Sequence, residues 1–431
     1  MRVFLITACC IMFACTGCFS QRGFEVFSTR FAKDYKALKI ADLELSYVAN
    51  LQHIPGAADI AKQEAFFKKA LAGLAAFKTT DLTQQQQIDY DLVQYESTLN
   101  LEKLALAKQW LNNKPADIPA TGLYTIPGGK EWYAWFLKRW VAANVTPDEI
   151  YQFGLKEVAR VQKHIEDIRQ QVGMDEDKFY GYLNDSSFFE KDPAEIQKAF
   201  EHTKTVVMQN LPNVFNVQQI PDVAIARGAN EALAQTPGYY NDNTFYYNLF
   251  NKPYNKRQFD WLFIHEAVPG HHYQASVANN LKLSKVQQLF FYLGYAEGWG
   301  AYTEELGKQL GVYKTPYDEL GKWEWDIVRS VRVPLDVGIN YYGWSDAEAL
   351  AFWKKNIRGQ DEIAMREINR IKRWPGQVVS YKYGAGQIMQ MREKLQQQQG
   401  SNFNIKTFHD NVLNHGTLPF FIVEKNVMGK S

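Results

Sequence analysis

Cysteine is absent after residue 18. All four cysteines (Cys9, Cys10, Cys15, Cys18) lie at the very start, so no disulfide framework can hold the rest together. An excess of one charge is also lacking: Lys+Arg number 48 and Asp+Glu 47, which argues against a nucleic-acid partner or an acidic surface. Long apolar runs are missing too. The run from Val3 to Ala14, with Arg2 before it, is too short to span a bilayer and reads as a secretory signal. It ends Cys15-Thr16-Gly17-Cys18, small residues before a cysteine, similar to a bacterial lipobox. The expectation is a lipid anchor on Cys18 and a periplasmic or cell-surface lipoprotein, at the outer membrane where the cell has two. No Gly/Ser/Pro-rich linker or internal repeat divides the remainder, and the only low-complexity tracts are Gln84–Gln87 and Gln396–Gln399. The domain reading is a signal at residues 1–18 and one domain over residues 19–431.

Histidine is scarce as well, eight in the chain, yet His265, His271 and His272 fall within eight residues of one another. Glu266 directly follows the first. Glu297 lies 26 residues after His271 in a second apolar, helix-like segment. Two imidazoles and a carboxylate on neighbouring helices form a zinc site with an open fourth position. A further carboxylate beside the first histidine suits the base that a metal-activated water needs.

The spacing departs from H-E-x-x-H, in which the two histidines share one helical face at i and i+4. Here i+4 is Pro269. In an unbroken helix i+6 points roughly 240° away, and i+7 lies about 10 Å further along. Pro269-Gly270 supplies a distortion, because proline lacks an N–H and glycine tolerates irregular backbone. H-E-A-V-P-G-H therefore reads as such a helix with a two-residue bulge that returns His265 and His271 to one face. His272 is then a substrate-side group, or itself the ligand if the bulge is smaller. Glu304, on the helical face of Glu297, is placed behind a ligand histidine.

Elsewhere the pattern is helical, beginning with Lys33 to Leu111, whose apolar stripes include Leu38, Leu43, Leu45, Val48 and Leu51. Thr146-Pro147-Asp148-Glu149 is a helix start, with an N-cap, a proline at N1 and a Glu at N3. Residues 220–225 and Thr244–Leu249 are β-rich, and the latter is a candidate strand for pairing with a substrate backbone. Arg329 and Arg332 could meet Asp336 or a substrate carboxylate. Tyr381 or Tyr383 could place a phenol over the oxyanion of an attacked carbonyl.

The segments HEAVPGHHYQ (265–274), EGWGAYTEEL (297–306), R-x-x-R to DVG (329–338), WSDAEA (344–349), SYKYGAG (380–386) and FHDNVLNHGTLPF (408–420) resemble the bacterial domain-of-unknown-function family 885. The likeness runs from about residue 129 to 423. That family is similar to the zincin metallopeptidases, in particular the helical, deep-cleft kind of thimet oligopeptidase and carboxypeptidase Taq. The resemblance implies a third-ligand Glu about 25 residues after the second His, where Glu297 stands. Asn340 occupies a position where the resemblance leads to a histidine, a departure bearing on activity.

The expected fold is mainly α, a zincin-like two-lobed helical fold around a deep cleft with a small β-sheet near the metal site. The expected activity is zinc-dependent hydrolysis of short peptides, with Zn²⁺ on His265, His271 and Glu297 and Glu266 as base. The alternatives are a metal-dependent hydrolase of another amide, such as a cell-wall peptide, and a non-catalytic envelope lipoprotein that binds peptide or metal.

Overall fold

A computed structural model describes the backbone of residues 3–429, with side chains from Ser20 onward. The side chains of the signal segment, Cys18 among them, therefore lie outside what is described. The fold is mainly α-helical with small β-sheets. Among the described residues no helix is long and apolar enough to cross a membrane.

The chain opens with α1 (Val3–Ala37), α2 (Tyr47–Gln52), α3 (Ala57–Leu74) and α4 (Gln84–Asn113). Continuous helix was expected from Lys33 to Leu111, but residues 38–46, 53–56 and 75–83 interrupt it. Leu38, Leu43 and Leu45 are spaced by five and two, which no single helical face accommodates, and Leu45 ends up 44% exposed. Lys39, at φ +50°, turns the chain out of α1. A capping box between Thr83 and Gln86 starts α4.

α5 (Gly129–Val141), α6 (Pro147–Gln171) and α7 (Glu176–Tyr182) follow. α6 begins as its sequence predicts: Thr146 accepts from the Glu149 N–H, the Glu149 side chain accepts from the Thr146 N–H, and Pro147 sits in the first turn.

β1 (Phe189–Glu190), α8 (Pro193–Asn210), β2 (Ala224–Arg227), β3 (Gly238–Asn241), β4 (Thr244–Tyr247) and β5 (Tyr254–Asn255) make the next segment. β1 pairs with β5, and the other three strands form a sheet of order β2-β4-β3. β4 runs parallel to β2 and antiparallel to β3, in the register Thr244↔Ala224 and Thr244↔Asn241. Asp242 and Asn243, both at positive φ, form the two-residue hairpin turn. This arrangement corrects the reading of Thr244–Leu249. β4 is the middle strand with both edges already paired, and the edge strands are β2 and β3.

α9 (Phe259–Glu266), α10 (His271–Asn279), α11 (Leu293–Thr303) and α12 (Pro316–Val337) carry the motif residues, and α13 (Asp346–Asn356), α14 (Asp361–Arg373), α15 (Val379–Gln399), α16 (Ile405–Leu413) and α17 (Phe420–Met428) close the chain. α12 starts on a capping box of Thr315 and Asp318. Its residues from Asp326 to Val337 are all buried, so it is an axis of the fold and its charged side chains must find partners inside.

Small residues set the distances between these helices. A Cβ on Gly298 of α11 would lie 2.5 Å from the Gly384 Cα of α15, and one on Gly294 would lie 2.7 Å from the Val141 backbone of α5. A Cβ on Gly154 of α6 would lie 2.6 Å from Pro334 of α12. α11, which carries Glu297, is thus held tightly by glycines, and adding a methyl there would cost about 1–3 kcal/mol.

Candidate metal centre

The helix through His265 does not bulge; it stops. α9 ends at Glu266, residues 267–270 form an irregular turn, and α10 begins at His271. Ala267 adopts φ −106°, ψ −100°, outside the helical region, and the Val268–Pro269 peptide is cis. A Cβ on Gly270 would lie 1.8 Å from the His265 carbonyl oxygen and 2.3 Å from that of Ile264, so no side chain fits at that position. The turn is secured from α11, where the Trp299 indole N–H donates to the Pro269 carbonyl at 2.8 Å. The sequence reading expected one distorted helix; two short helices meeting at a corner reach the same end, because proline offers no N–H to continue the ladder.

That corner turns His265 and His271 toward each other, their ring centroids 4.8 Å apart and nearly perpendicular. Glu297 Oε2 lies 3.8 Å from His265 Nε2 and 3.3 Å from His271 Nε2. One ligand atom from each of the three residues falls within 4.8 Å of the other two. Gly300, one turn after Glu297, makes the room: a Cβ there would lie 2.9 Å from His265 Cε1 and 3.0 Å from His271 Cε1. Two imidazoles and one carboxylate match in kind and number the protein donors of a catalytic zinc site.

Behind His265, its Nδ1 meets Glu304 Oε1 at 2.8 Å. Arg329 Nη1 donates to the same oxygen at 2.6 Å. Glu304 and Arg329 are fully buried, so the Nδ1–H···carboxylate bond fixes the ring and leaves Nε2 facing Glu297. Burial pushes His265 toward its neutral form, but the carboxylates of Glu297 and Glu304 outweigh it and raise the imidazole to about 9. Burial likewise pushes the Glu297 carboxyl up, and the two imidazoles more than reverse this, holding it well below the usual range. The centre is therefore short of positive charge, which a cation would supply.

Glu266 is half-buried beside the cluster. Its Oε2 accepts the backbone N–H of Tyr240 at 3.1 Å, so the edge strand β3 orients it. Burial raises its carboxyl above the ordinary value, and the two imidazoles oppose that. A raised carboxyl is a better proton carrier near neutrality.

The remaining candidates separate into near and far. His272 is 0% exposed, and both ring nitrogens are engaged within the protein: Nε2 with the Pro221 carbonyl (2.9 Å) and Nδ1 with the Tyr240 hydroxyl (3.3 Å). It braces the strand that orients Glu266, and it does not join the ligand cluster. Arg329 reaches the centre through Glu304, whereas Arg332 pairs with Glu367 at 2.8 Å. Tyr381 is half-buried, and its phenol is pushed up by burial and then by the Glu297 carboxylate. Tyr383, two residues on, faces Phe153 and Phe420 on another side of α15. Asn340 lies elsewhere, its amide oxygen accepting from the Leu123 N–H and its amide group donating to the Asp336 and Ile371 carbonyls. It pins three segments together. His164 is half-buried and stacks on Trp323 at 4.0 Å.

Tyr240 is the residue that the sequence reading passed over. Its signal was present: Asp242-Asn243 between two tyrosine-rich stretches marks a two-residue hairpin whose first strand holds Tyr240.

The comparisons add the family and the fold. No curated protein matches the chain. A "putative lipoprotein" of Colwellia psychrerythraea has a similar structure, with TM-score 0.68 and 23% identity over 86% of this chain and 69% of that one. A "putative lipoprotein of unknown function" of Shewanella oneidensis gives TM-score 0.70 and 18% identity over 94% of this chain and 99% of that one. At such identities the likeness concerns the fold alone. The model of the family described as bacterial protein of unknown function, DUF885, matches residues 103–427, well over half of the 431-residue chain, and the protein belongs to that family.

Proposed function

We propose that this protein is a zinc-dependent peptidase that hydrolyses short peptides. The observation that carries the reading is the juxtaposition of the His265–His271–Glu297 cluster with Glu266, a carboxylate outside the ligand set, oriented by the N–H of an edge strand. A metal-storage or structural site has no need of that second carboxylate, whereas hydrolysis needs a base beside the activated water.

Zinc, when bound, supplies Lewis acidity and makes a water acidic enough to ionise near neutral pH. The chain's own residues do the rest. Glu304, backed by Arg329, keeps His265 in the tautomer that presents Nε2. Glu266, with Oε2 occupied by Tyr240, has Oε1 to take a proton from the attacking water and hand it to the leaving amine. Tyr381, whose phenol the Glu297 carboxylate influences, is the residue we assign to donate to the developing oxyanion. Tyr240, at the sheet edge, directs its N–H away from β4 onto Glu266, so the outer edge of β3 lies beside the base, and its carbonyl remains for an extended peptide to pair with.

Lipid anchoring through Cys18 belongs to the same proposal. It is supported by the lipobox-like sequence and by the lipoprotein descriptions of the two structural neighbours. The protein then acts at the cell envelope, on peptides short enough to enter a cleft.

The test is zinc content together with hydrolysis of a mixed peptide library, before and after chelation and zinc return. About one zinc per chain and chelator-sensitive hydrolysis are expected. Zinc-loaded protein that cleaves nothing in the library would overturn the reading.

A further inference from the structure

Arg332 and Arg366 converge on a single carboxylate, Glu367, and Arg370 follows one turn later on the same helix. Arg332 Nε and Nη2 reach Glu367 Oε2 at 2.9 and 2.8 Å, and Arg366 Nη2 reaches Oε1 at 2.9 Å. Burial pushes the Glu367 carboxyl up, and the nearby guanidiniums bring it below the usual range; Arg370 stands three residues on, on the same helix. Arg370 makes no ion pair of its own. Its Nη2 donates to Gln377 Oε1 at 2.9 Å, and its Nε is buried with no partner. Glu367 is shared by the buried Arg332 and the partly exposed Arg366, so it leaves the half-buried Arg370 without a carboxylate partner of its own among the described residues.

Gln377 carries the contact from Arg370 onward, its Nε2 donating to the Tyr381 hydroxyl at 3.4 Å. Glu297, Arg370 and Arg332 all act on the Tyr381 phenol. α12 links the two places a second way. Arg329 lies over Trp261 of α9, Arg332 lies over Trp325, and the two indoles stack at 5.8 Å. A cavity of about 400 Å³ has Trp261, Trp325 and Arg366 in its wall.

We propose that this arginine cluster receives the free C-terminal carboxylate of the substrate, with Arg370 as the principal contact, so that the protein removes residues from the C-terminal end of peptides. The inference rests on the peptidase reading above and names its substrate class. Guanidinium groups bind a carboxylate through paired N–H donors, and Arg370 has such donors uncommitted. The step balances without a co-reactant. Water oxygen bonds to the acyl carbon, the C–N bond breaks, and the water's proton passes to the amine of the departing C-terminal fragment. That fragment keeps its own carboxylate on the arginines until release.

The experiment uses one short peptide in two forms, free acid and C-terminal amide, on the full zinc-loaded chain. The acid should be cleaved about 10- to 100-fold more efficiently, the range of one charge-assisted hydrogen bond. Arg370→Gln should remove most of that preference, raising KM for the acid far more than for the amide, and Arg370→Lys, which keeps the charge, should restore part of it. Calorimetric binding of both forms to the Glu266→Gln protein separates the two proposals. If neither form is cleaved by the wild type but the acid still binds more tightly, the peptidase reading falls and the carboxylate site stands. Equal binding of acid and amide, or an Arg370→Gln effect of the same size on both, overturns the carboxylate site.

Discussion

Glu304 and Glu305 are adjacent in sequence and end in charge clusters of opposite character. Glu305 pairs with Lys322 at 2.6 Å and lies 3.7 Å from Arg160. Asp326 and Glu157 complete that group through Lys382, at 2.8 and 2.9 Å. Three cations face three carboxylates, and the charge closes on itself. Glu304 turns the other way. Around it and the two imidazoles stand Glu266 and Glu297, and among the described residues Arg329 is the permanent cation that pairs with it. A third cluster, around Glu367, errs in the opposite sense, with three arginines to one acid. Burying charge is expensive unless it is compensated. The balanced cluster needs nothing from outside. The two unbalanced ones are where the proposals above place ligands of opposite sign, a cation at His265–His271–Glu297 and an anion at the arginines. Under those proposals a peptide with a free carboxylate, lying across a metal, would supply both.

The largest effect should come from the carboxylate that touches the reaction. Glu266→Gln keeps size and an acceptor for the Tyr240 N–H but cannot take a proton. Hydrolysis should fall about 10²- to 10⁴-fold with zinc content unchanged. Undiminished hydrolysis would remove Glu266 from the mechanism. Next comes the balanced cluster. Lys382→Met leaves Asp326 and Glu157 facing each other with too little positive charge, and should cost about 3–5 kcal/mol in urea unfolding. Zinc affinity should hold. A loss of zinc affinity with stability intact would show that the division between a structural and a functional cluster is false.

The sequence displayed the site more fully than the fold. His265, His271 and Glu297 stood out because histidine is rare and the residue types are those of a zinc centre, and in the structure they meet. Their rarity said nothing of how the chain turns between them. The corner at residues 267–270 depends on Gly270 abutting the His265 carbonyl, a through-space contact that spacing cannot reveal. Helix starts such as Thr146–Glu149 were readable because a capping box is local. The stripe from Leu38 to Leu51 misled, because leucine density alone does not separate a helix from a loop lying across a core. The arginine cluster was half visible: Arg329 and Arg332 were read together, yet they serve different carboxylates, and Arg370 comes from another helix.

Asp336 shows the third way a fold can handle buried charge. No cation pairs with it among the described residues; its oxygens accept the Gly376 N–H at 2.9 and 3.1 Å. Burial raises its carboxyl to about 7, so it holds a proton where an unfolded aspartate would have lost one. The folded state then binds more protons between about pH 4 and pH 7, and stability contributed by this group falls as pH rises through that window. Asp336→Asn should remove that slope. The difference in unfolding free energy between wild type and variant should shift by about 2–4 kcal/mol from pH 4 to pH 7, in the direction of a relatively more stable variant at pH 7. A pH-independent difference would mean that Asp336 is compensated after all.

The smallest effect falls on the residue that touches only a ligand's far side. Glu304→Gln retains an oxygen for His265 Nδ1–H but removes the charge that Arg329 balances. Zinc affinity should weaken about 10- to 100-fold, the usual cost of disturbing a group behind a metal-binding histidine. A purely structural role would lower stability at constant zinc affinity, so competition with a chelator of known strength, run beside thermal unfolding, separates the two. Glu304→Asp, which restores charge at shorter reach, should recover part of the affinity. If Glu304→Gln binds zinc as tightly as wild type, the two neighbouring glutamates are alike after all, and the charge imbalance around Glu304 loses its meaning as a sign of a missing cation.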